Sequence, residues 1–195
     1  LRDNVYGNLL DDAMRRDFTI NALYYTVDGF QLLDYTGGMQ DLDDRLLRII
    51  GNAEERYRED PVRMLRAIRF KAKLNFELEA ATEEPIAKLA PLLTQVSSAR
   101  MFDEINKLLL STYAARTFEL LLQYHLLDPL FPHLIPHITD RNGAHFKLII
   151  SALKNTEERI ADNKPVTAAF LYACLMWPRI LEIATHNIPP NRTRW

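Results

Sequence analysis

Beyond residue 52 the apolar positions recur every three or four residues, the period of helices that bury one face. Met64, Leu65, Ile68 and Ala72 fall on one side of a helix predicted over residues 61–74. Thr82 reads as the N-cap of a second helix, with Glu83 and Glu84 set against the positive end of its dipole. Ser97 and Ser98 open a third, where Met101, Ile105, Leu108 and Leu109 form the buried stripe and Arg100 and Glu104 are spaced to pair. A fourth is predicted over 117–127 and stops at Asp128-Pro129; 131–143 reads as loop, and the helical period returns over 145–160 and 166–176. Before residue 50 the pattern shortens. Residues 24–27 and 30–33 flank Asp28-Gly29 and predict a β-hairpin. Gly37-Gly38 breaks the chain, 46–50 predicts a further strand ending at Gly51, and 11–22 predicts a helix feeding the hairpin. The fold class is mainly α: a small α/β piece followed by helices.

Composition narrows the picture in three places. The chain has 195 residues, 48% of them hydrophobic, enough to bury a core. A single cysteine, Cys174, excludes an internal disulfide or a cysteine-based zinc site and suits a reducing, cytoplasmic setting; amid Leu171, Tyr172, Leu175 and Trp177 it reads as a core residue. The formal charge of −2 excludes a uniformly basic surface, so any anion binding must be local. No uninterrupted apolar run approaches the roughly 18 residues of a membrane helix, and no membrane partner is expected. Leu1 at the start and residues 188–195 at the end read as the edges of a piece of a longer protein.

Two polar clusters carry candidate chemistry. In Arg15-Arg16-Asp17-Phe18-Thr19-Ile20-Asn21, two guanidiniums can grip phosphate oxygens, and the carboxylate between them and Asn21 can meet a divalent cation or a ribose hydroxyl. A solvated helical turn with a local Arg–Asp pair would look the same. The second is Glu59-Asp60-Pro61-Val62-Arg63-Met64-Leu65-Arg66-Ala67-Ile68-Arg69-Phe70. Here Arg63, Arg66 and Arg69 span about 120° of a helix, opposite the apolar stripe. Asp60 before Pro61 also matches an N-cap followed by Pro at N1, which is a purely structural account of both residues. Asp41-Leu42-Asp43 has the spacing of a metal-binding D-x-D pair. On a helix the two side chains point apart, so it reads as a surface pair. His133 and His137 are four apart with Pro136 between them, a poor metal-ligand arrangement. No Walker A loop, nucleophile elbow, dinucleotide fingerprint or H-E-x-x-H is present.

In order, Arg15–Ala22, then Asp34-Tyr35-Thr36-Gly37-Gly38-Met39-Gln40-Asp41-Leu42, then Glu59–Phe70 resemble the successive motifs of the class II tRNA nucleotidyltransferase and bacterial poly(A) polymerase family. Ser97-Ser98-Ala99-Arg100 with Glu104 resembles the next, looser motif. Leu1-Arg2-Asp3-Asn4 and Gly51–Pro61 are closest in wording to the bacterial poly(A) polymerase branch. The resemblance implies the C-terminal remnant of an α/β nucleotidyltransferase head over 1–51, a helical neck over 52–112 and part of an RNA-binding helical body over 113–195. It assigns Asp17 to the active site as a third acidic residue, Arg16 to nucleotide binding, Asp60 and Arg63 to the incoming base, and Arg66 and Arg69 to nucleotide contacts. Asn21 and Glu59 match motif positions and join the nucleotide-binding set. The implied reaction adds AMP from ATP to an RNA 3′ end with two Mg²⁺ ions. The D-x-D pair that holds the ions is expected upstream of Leu1, so the chain alone is expected to be inactive. Three alternatives stay open on these residues: a CCA-adding enzyme, a non-catalytic helical RNA-binding module, and a nucleotide-sensing or scaffold protein that keeps the pocket without metal carboxylates.

Overall fold

The computed structural model describes residues 8–186, so the readings placed on Leu1–Asn4 and on 188–195 lie outside the described residues. The chain divides into two compact units, Leu1–Val96 and Ser97–Trp195.

In the first unit, α1 (Leu9–Arg15) starts at Asn8, whose Oδ1 accepts the Asp11 N–H at 2.8 Å. The helix predicted over 11–22 is not one element. α1 ends at Arg15, the chain runs extended through Phe18, and one 3₁₀ turn, Thr19–Asn21, follows. Phe18 is the reason. It is fully enclosed, forms a bridge with Ile49, and is flanked by bonds from Thr19 N to Arg48 O (3.0 Å) and from Ile50 N to Asp17 O (2.9 Å). Extended backbone sends Phe18 into the core and its neighbour Asp17 outward.

β1 (Leu23–Thr26) and β2 (Gln31–Asp34) form the expected hairpin, with Tyr24 opposite Leu33. Its loop covers residues 27–30, with Gly29 and Phe30 at φ 78° and 51°, so the connection is longer than a two-residue Asp-Gly turn. Asp34 then accepts four backbone N–H groups, from Thr36, Gly37, Gly38 and Met39, and sets the start of α2 (Gly38–Asp43). Gly38 is required sterically: a Cβ there would lie 2.3 Å from the Thr19 carbonyl oxygen. The predicted strand over 46–50 shortens to β3 (Leu46–Leu47), continued only by the Ile49 bridge.

α3 (Ala53–Glu59) and α4 (Val62–Leu74) are joined through Asp60-Pro61. Met64, Leu65, Ile68 and Ala72 are buried, as the periodicity predicts. Asn75, at φ 57°, ends α4 and leads to β4 (Glu77–Leu78), which pairs in parallel with β3. α5 (Ala80–Glu83), α6 (Pro85–Leu89) and a 3₁₀ turn, Ala90–Gln95, complete the unit. Thr82 lies inside α5 and is not an N-cap. Fully buried, it donates to Glu79 (2.8 Å), accepts from Ile49 N (3.1 Å), and its carbonyl accepts the Tyr57 hydroxyl (2.9 Å).

The second unit comprises α7 (Ser98–Leu109), α8 (Ala114–Gln123), α9 (Leu127–Leu130), α10 (Ile135–Ile138), α11 (Ala144–Ala161) and α12 (Ala168–His186). Leu108, Phe118, Leu121, Leu126, Ile149, Leu153 and Leu171 are among its buried apolar residues. α7 opens at Ser97-Ser98 as predicted, without a capping bond from the Ser97 side chain, and the buried Glu104 receives Lys107 at 2.7 Å. Asp128-Pro129 does not stop a helix; it sits within α9, where a first-turn proline loses no bond. α12 continues past Met176 through a buried Pro178. By length and composition α12 is apolar enough to cross a membrane (mean hydropathy 1.2), a property the sequence reading did not register, although Arg179 and Glu182 form a 2.6 Å ion pair along it. Cys174 is half-buried and burial pushes its thiol up, against a nucleophilic role. Among the described residues no group of three or more His, Cys, Asp or Glu is placed to hold a metal ion.

Candidate active site

The end of α1 and the exposed side of α4 meet at a cleft of about 500 Å³ lined by Arg16, Asp17, Asn21, Arg66 and Phe70. Four of these five are residues singled out in the sequence, and Asp17 and Arg66 are 49 positions apart. Asp17 is the hub. Its Oδ1 accepts the Phe18 N–H at 2.9 Å and the Asn21 Nδ2 at 3.0 Å, and its Oδ2 accepts Arg66 Nε at 2.6 Å as well as Arg66 Nη2. With a side chain 11% exposed, burial pushes the Asp17 carboxyl up. The Asn21 amide, the Arg66 guanidinium and the Phe18 N–H outweigh burial and hold it below its ordinary value. Asp17 is therefore an anion with a cation beside it, not the partner of its neighbour Arg16.

Arg16 is held from behind. Its Nε and Nη2 each donate to Asp12 Oδ2 at 3.2 Å, its Nη1 to the Asn21 carbonyl at 2.7 Å, and its guanidinium lies 4.9 Å over the Tyr24 ring. The Tyr24 hydroxyl, at 2.6 Å, and then Arg16 keep the Asp12 carboxyl low. Arg66 and Arg69 both lie over Phe70, at 5.7 and 5.5 Å from the ring centre. Cationic Arg16 and Arg66, an amide and an aromatic face suit a polyphosphate carrying a planar base.

Glu59, Asp60, Arg63 and Arg69 do not line this cleft. Arg63, with a side chain 15% exposed, turns its Nη1 to the Arg56 carbonyl (2.8 Å) and to Glu59 Oε2 (2.9 Å), and the same Glu59 oxygen accepts Arg56 Nη1 at 2.9 Å. Asp60 Oδ1 accepts the Val62 N–H at 3.3 Å, a capping contact one place earlier than the sequence placed it, since α4 begins after Pro61. Asp41 is not a surface residue: it is buried, takes the Thr19 hydroxyl at 2.6 Å, and pairs with Arg48, which also holds Glu79 at 2.7 Å. Asp43 is exposed, so the two carboxylates separate as a helical spacing requires.

Sequence reasoning gave no part to Asp12, Arg56 or Phe70. The signals were present as spacings: Asp12 is four before Arg16, Arg56 three before Glu59, and Phe70 four after Arg66. A larger cavity of about 720 Å³, lined among others by Met14, Tyr35, Arg48, Glu79 and Lys88, contains none of the predicted site residues. The described residues do not by themselves fit a two-ion magnesium site. Asp17 is the one carboxylate lining the cleft, and its oxygens are already met by Arg66, Asn21 and a backbone N–H.

Residues 2–48 match the family model described as the poly A polymerase head domain, and residues 75–138 the one described as the probable RNA and SrmB-binding site of polymerase A. Poly(A) polymerase I of Escherichia coli O6:H1 is 50% identical over 185 residues, 94% of this chain and 40% of that protein. The CCA-adding enzyme of Bacillus subtilis is 44% identical over 124 residues, 64% of this chain and 31% of that protein. A tRNA-processing enzyme solved with CTP shares the fold with a TM-score of 0.74 and 27% identity, over 92% of this chain and 50% of that one. The chain thus spans about two fifths of the length of the poly(A) polymerases it matches. Motif order, identity along nearly its whole length and fold agree: the chain belongs to the class II tRNA nucleotidyltransferase and poly(A) polymerase family.

Proposed function

We propose that this chain carries the nucleotide-binding part of a template-independent poly(A) polymerase, which adds AMP from ATP to RNA 3′ ends in the cytoplasm. The convergence of Arg16, Asp17, Asn21 and Arg66 on one cleft carries the reading. The poly(A) branch is favoured over CCA addition because likeness to the former runs over 94% of the chain and to the latter over 64%. In this reading 1–51 ends the head, 52–112 is the neck and 113–195 is part of an RNA-binding body.

Arg16 and Arg66 supply fixed positive charge for the triphosphate and for the pyrophosphate that leaves. Arg66 exchanges part of its bond with Asp17 for phosphate oxygens, which frees an Asp17 oxygen toward the reacting groups. Phe70 offers an apolar face for the nucleoside. Arg63, braced by Glu59 and the Arg56 carbonyl, and Asp60 beside it meet the edge of the incoming base, and Arg69 adds charge on the same helix. Mg²⁺, when bound by carboxylates outside this chain, would activate the RNA 3′-hydroxyl.

The full-length protein, given ATP, CTP or UTP with Mg²⁺ and a short RNA primer, tests the reading by product length. Long adenylate tails are expected. Addition of three nucleotides from CTP and ATP would replace it with CCA addition, and RNA binding without extension would replace it with a non-catalytic module.

A further inference from the structure

α1 ends in carbonyls that no later helical turn can satisfy. The Ala13 carbonyl takes the Arg16 N–H (3.2 Å), and the Asp17 carbonyl takes Ile50 N (2.9 Å). The Arg15 and Arg16 carbonyls between them both go to one nitrogen on another helix: Arg56 Nη2, at 3.0 and 2.7 Å. Arg56 reaches 40 positions back from α3, with a side chain 16% exposed, and its Nη1 is fixed by Glu59. Its Nε is buried and has no partner. A guanidinium that served only to solvate α3 would keep that Nε in water. Here it is given up so that the fork reaches the end of α1, where a cation also meets the negative end of the helix dipole.

The Arg16 carbonyl belongs to the peptide plane that joins Arg16 to Asp17. Turning that plane swings the Asp17 Cα–Cβ bond, and with it the carboxylate that faces Arg66. We propose that Arg56 is a positioning residue of the transfer site: by clamping the carbonyl of Arg15, the last residue of α1, and that of Arg16 just beyond it, Arg56 fixes the direction in which Arg16 and Asp17 enter the cleft. This rests on reading the cleft as the transfer site. The role is distinct from that of Arg58, which is exposed and pairs with Glu54 on the same helix.

The test uses the full-length protein with Arg56→Met, Arg56→Lys and, as a control, Arg58→Met. Misplacement of a reacting group by about an ångström costs up to about a hundredfold in rate. Arg56→Met should therefore lower kcat about thirtyfold or more, with the KM for ATP changed less than about threefold. Arg56→Lys, able to hold one carbonyl, should recover part of the loss, and Arg58→Met should behave as wild type. Amide hydrogen exchange gives a reading that needs no activity: in Arg56→Met, exchange should quicken in a peptide covering 14–19 and stay unchanged over α4. A kcat within threefold of wild type, with exchange over 14–19 unaltered, overturns the inference while leaving the proposed function standing. Exchange raised uniformly across the first unit in both Arg56 variants also overturns it, by showing a merely structural role. Should wild type transfer no nucleotide, the proposed function fails and exchange alone decides the clamp.

Discussion

Removing Arg66 takes the cation from a carboxylate that has little water to fall back on. The Asp17 side chain is 11% exposed and the Arg66 side chain 32%, which places the pair between the enclosed and the exposed cases. Breaking an enclosed pair costs about 3–5 kcal/mol, and an exposed pair contributes about 0–1 kcal/mol, so Arg66→Met is expected to cost about 2 kcal/mol at pH 7. Asp17→Asn retains the shape and an oxygen for Asn21 and Phe18 N, and is expected to cost about 1 kcal/mol. In the double variant no buried charge is left alone, so its cost should fall short of the sum by about 1 kcal/mol or more. The pH dependence has a definite sign. Asp17 is held below its ordinary value in the folded protein, so its contribution is complete above the unfolded carboxyl pKa of about 4 and is lost as pH falls through the lower, folded value. In Arg66→Met the cation that lowers the folded value is gone, so the gap between wild type and variant should narrow as pH drops below roughly 4. Equilibrium urea unfolding of the four proteins measures all of this. Additivity within about 0.4 kcal/mol, or a gap that is constant with pH, would refute the ion pair as the source of the stability.

Gly38→Ala forces a methyl group against the Thr19 carbonyl and should destabilise by about 1–3 kcal/mol, read as a lower unfolding midpoint; an unchanged midpoint would show that α2 can slide. Asp41→Ala strands the Thr19 hydroxyl and leaves Arg48 with Glu79 alone, and should cost about 2–3 kcal/mol in the same assay, whereas a true surface aspartate would cost under about 0.5 kcal/mol. Arg63→Ala leaves the Asp60 contact to Val62 N intact. In the full-length protein the ratio of ATP to UTP incorporation should fall about tenfold or more; a lower rate at an unchanged ratio would confine Arg63 to the fold.

What the sequence exposed was mostly local. The apolar stripe of α4 and the hairpin around Gly29 depend on neighbours three or four residues away, or on a turn, and both were legible. The break in the helix at Arg16 was not, because it is set by Phe18 pairing with Ile49, a contact across the unit that no window of the sequence contains. Thr82 shows the same failure: a threonine before two glutamates looks like a cap, and only the nearness of Ile49, Tyr57 and Glu79 makes it a buried junction. The last helix reads too short in the sequence, over 166–176, whereas α12 runs from Ala168 to His186 and passes through Pro178, a residue that interrupts most helices. The candidate site residues came from motif order. They divide in space into a cleft group around Asp17 and a braced group around Arg63, and that division depends on which side of α4 faces α1.

Whether nucleotide is transferred at the Asp17 cleft is read from the rate of AMP incorporation by the full-length protein carrying Asp17→Asn. That rate should fall at least about a hundredfold, with an unfolding midpoint displaced only by the loss of one ion pair of about 1 kcal/mol. A variant that incorporates AMP within threefold of wild type while its stability drops would contradict transfer at this cleft, and would leave Asp17 as a partner that holds Arg66 and nothing more.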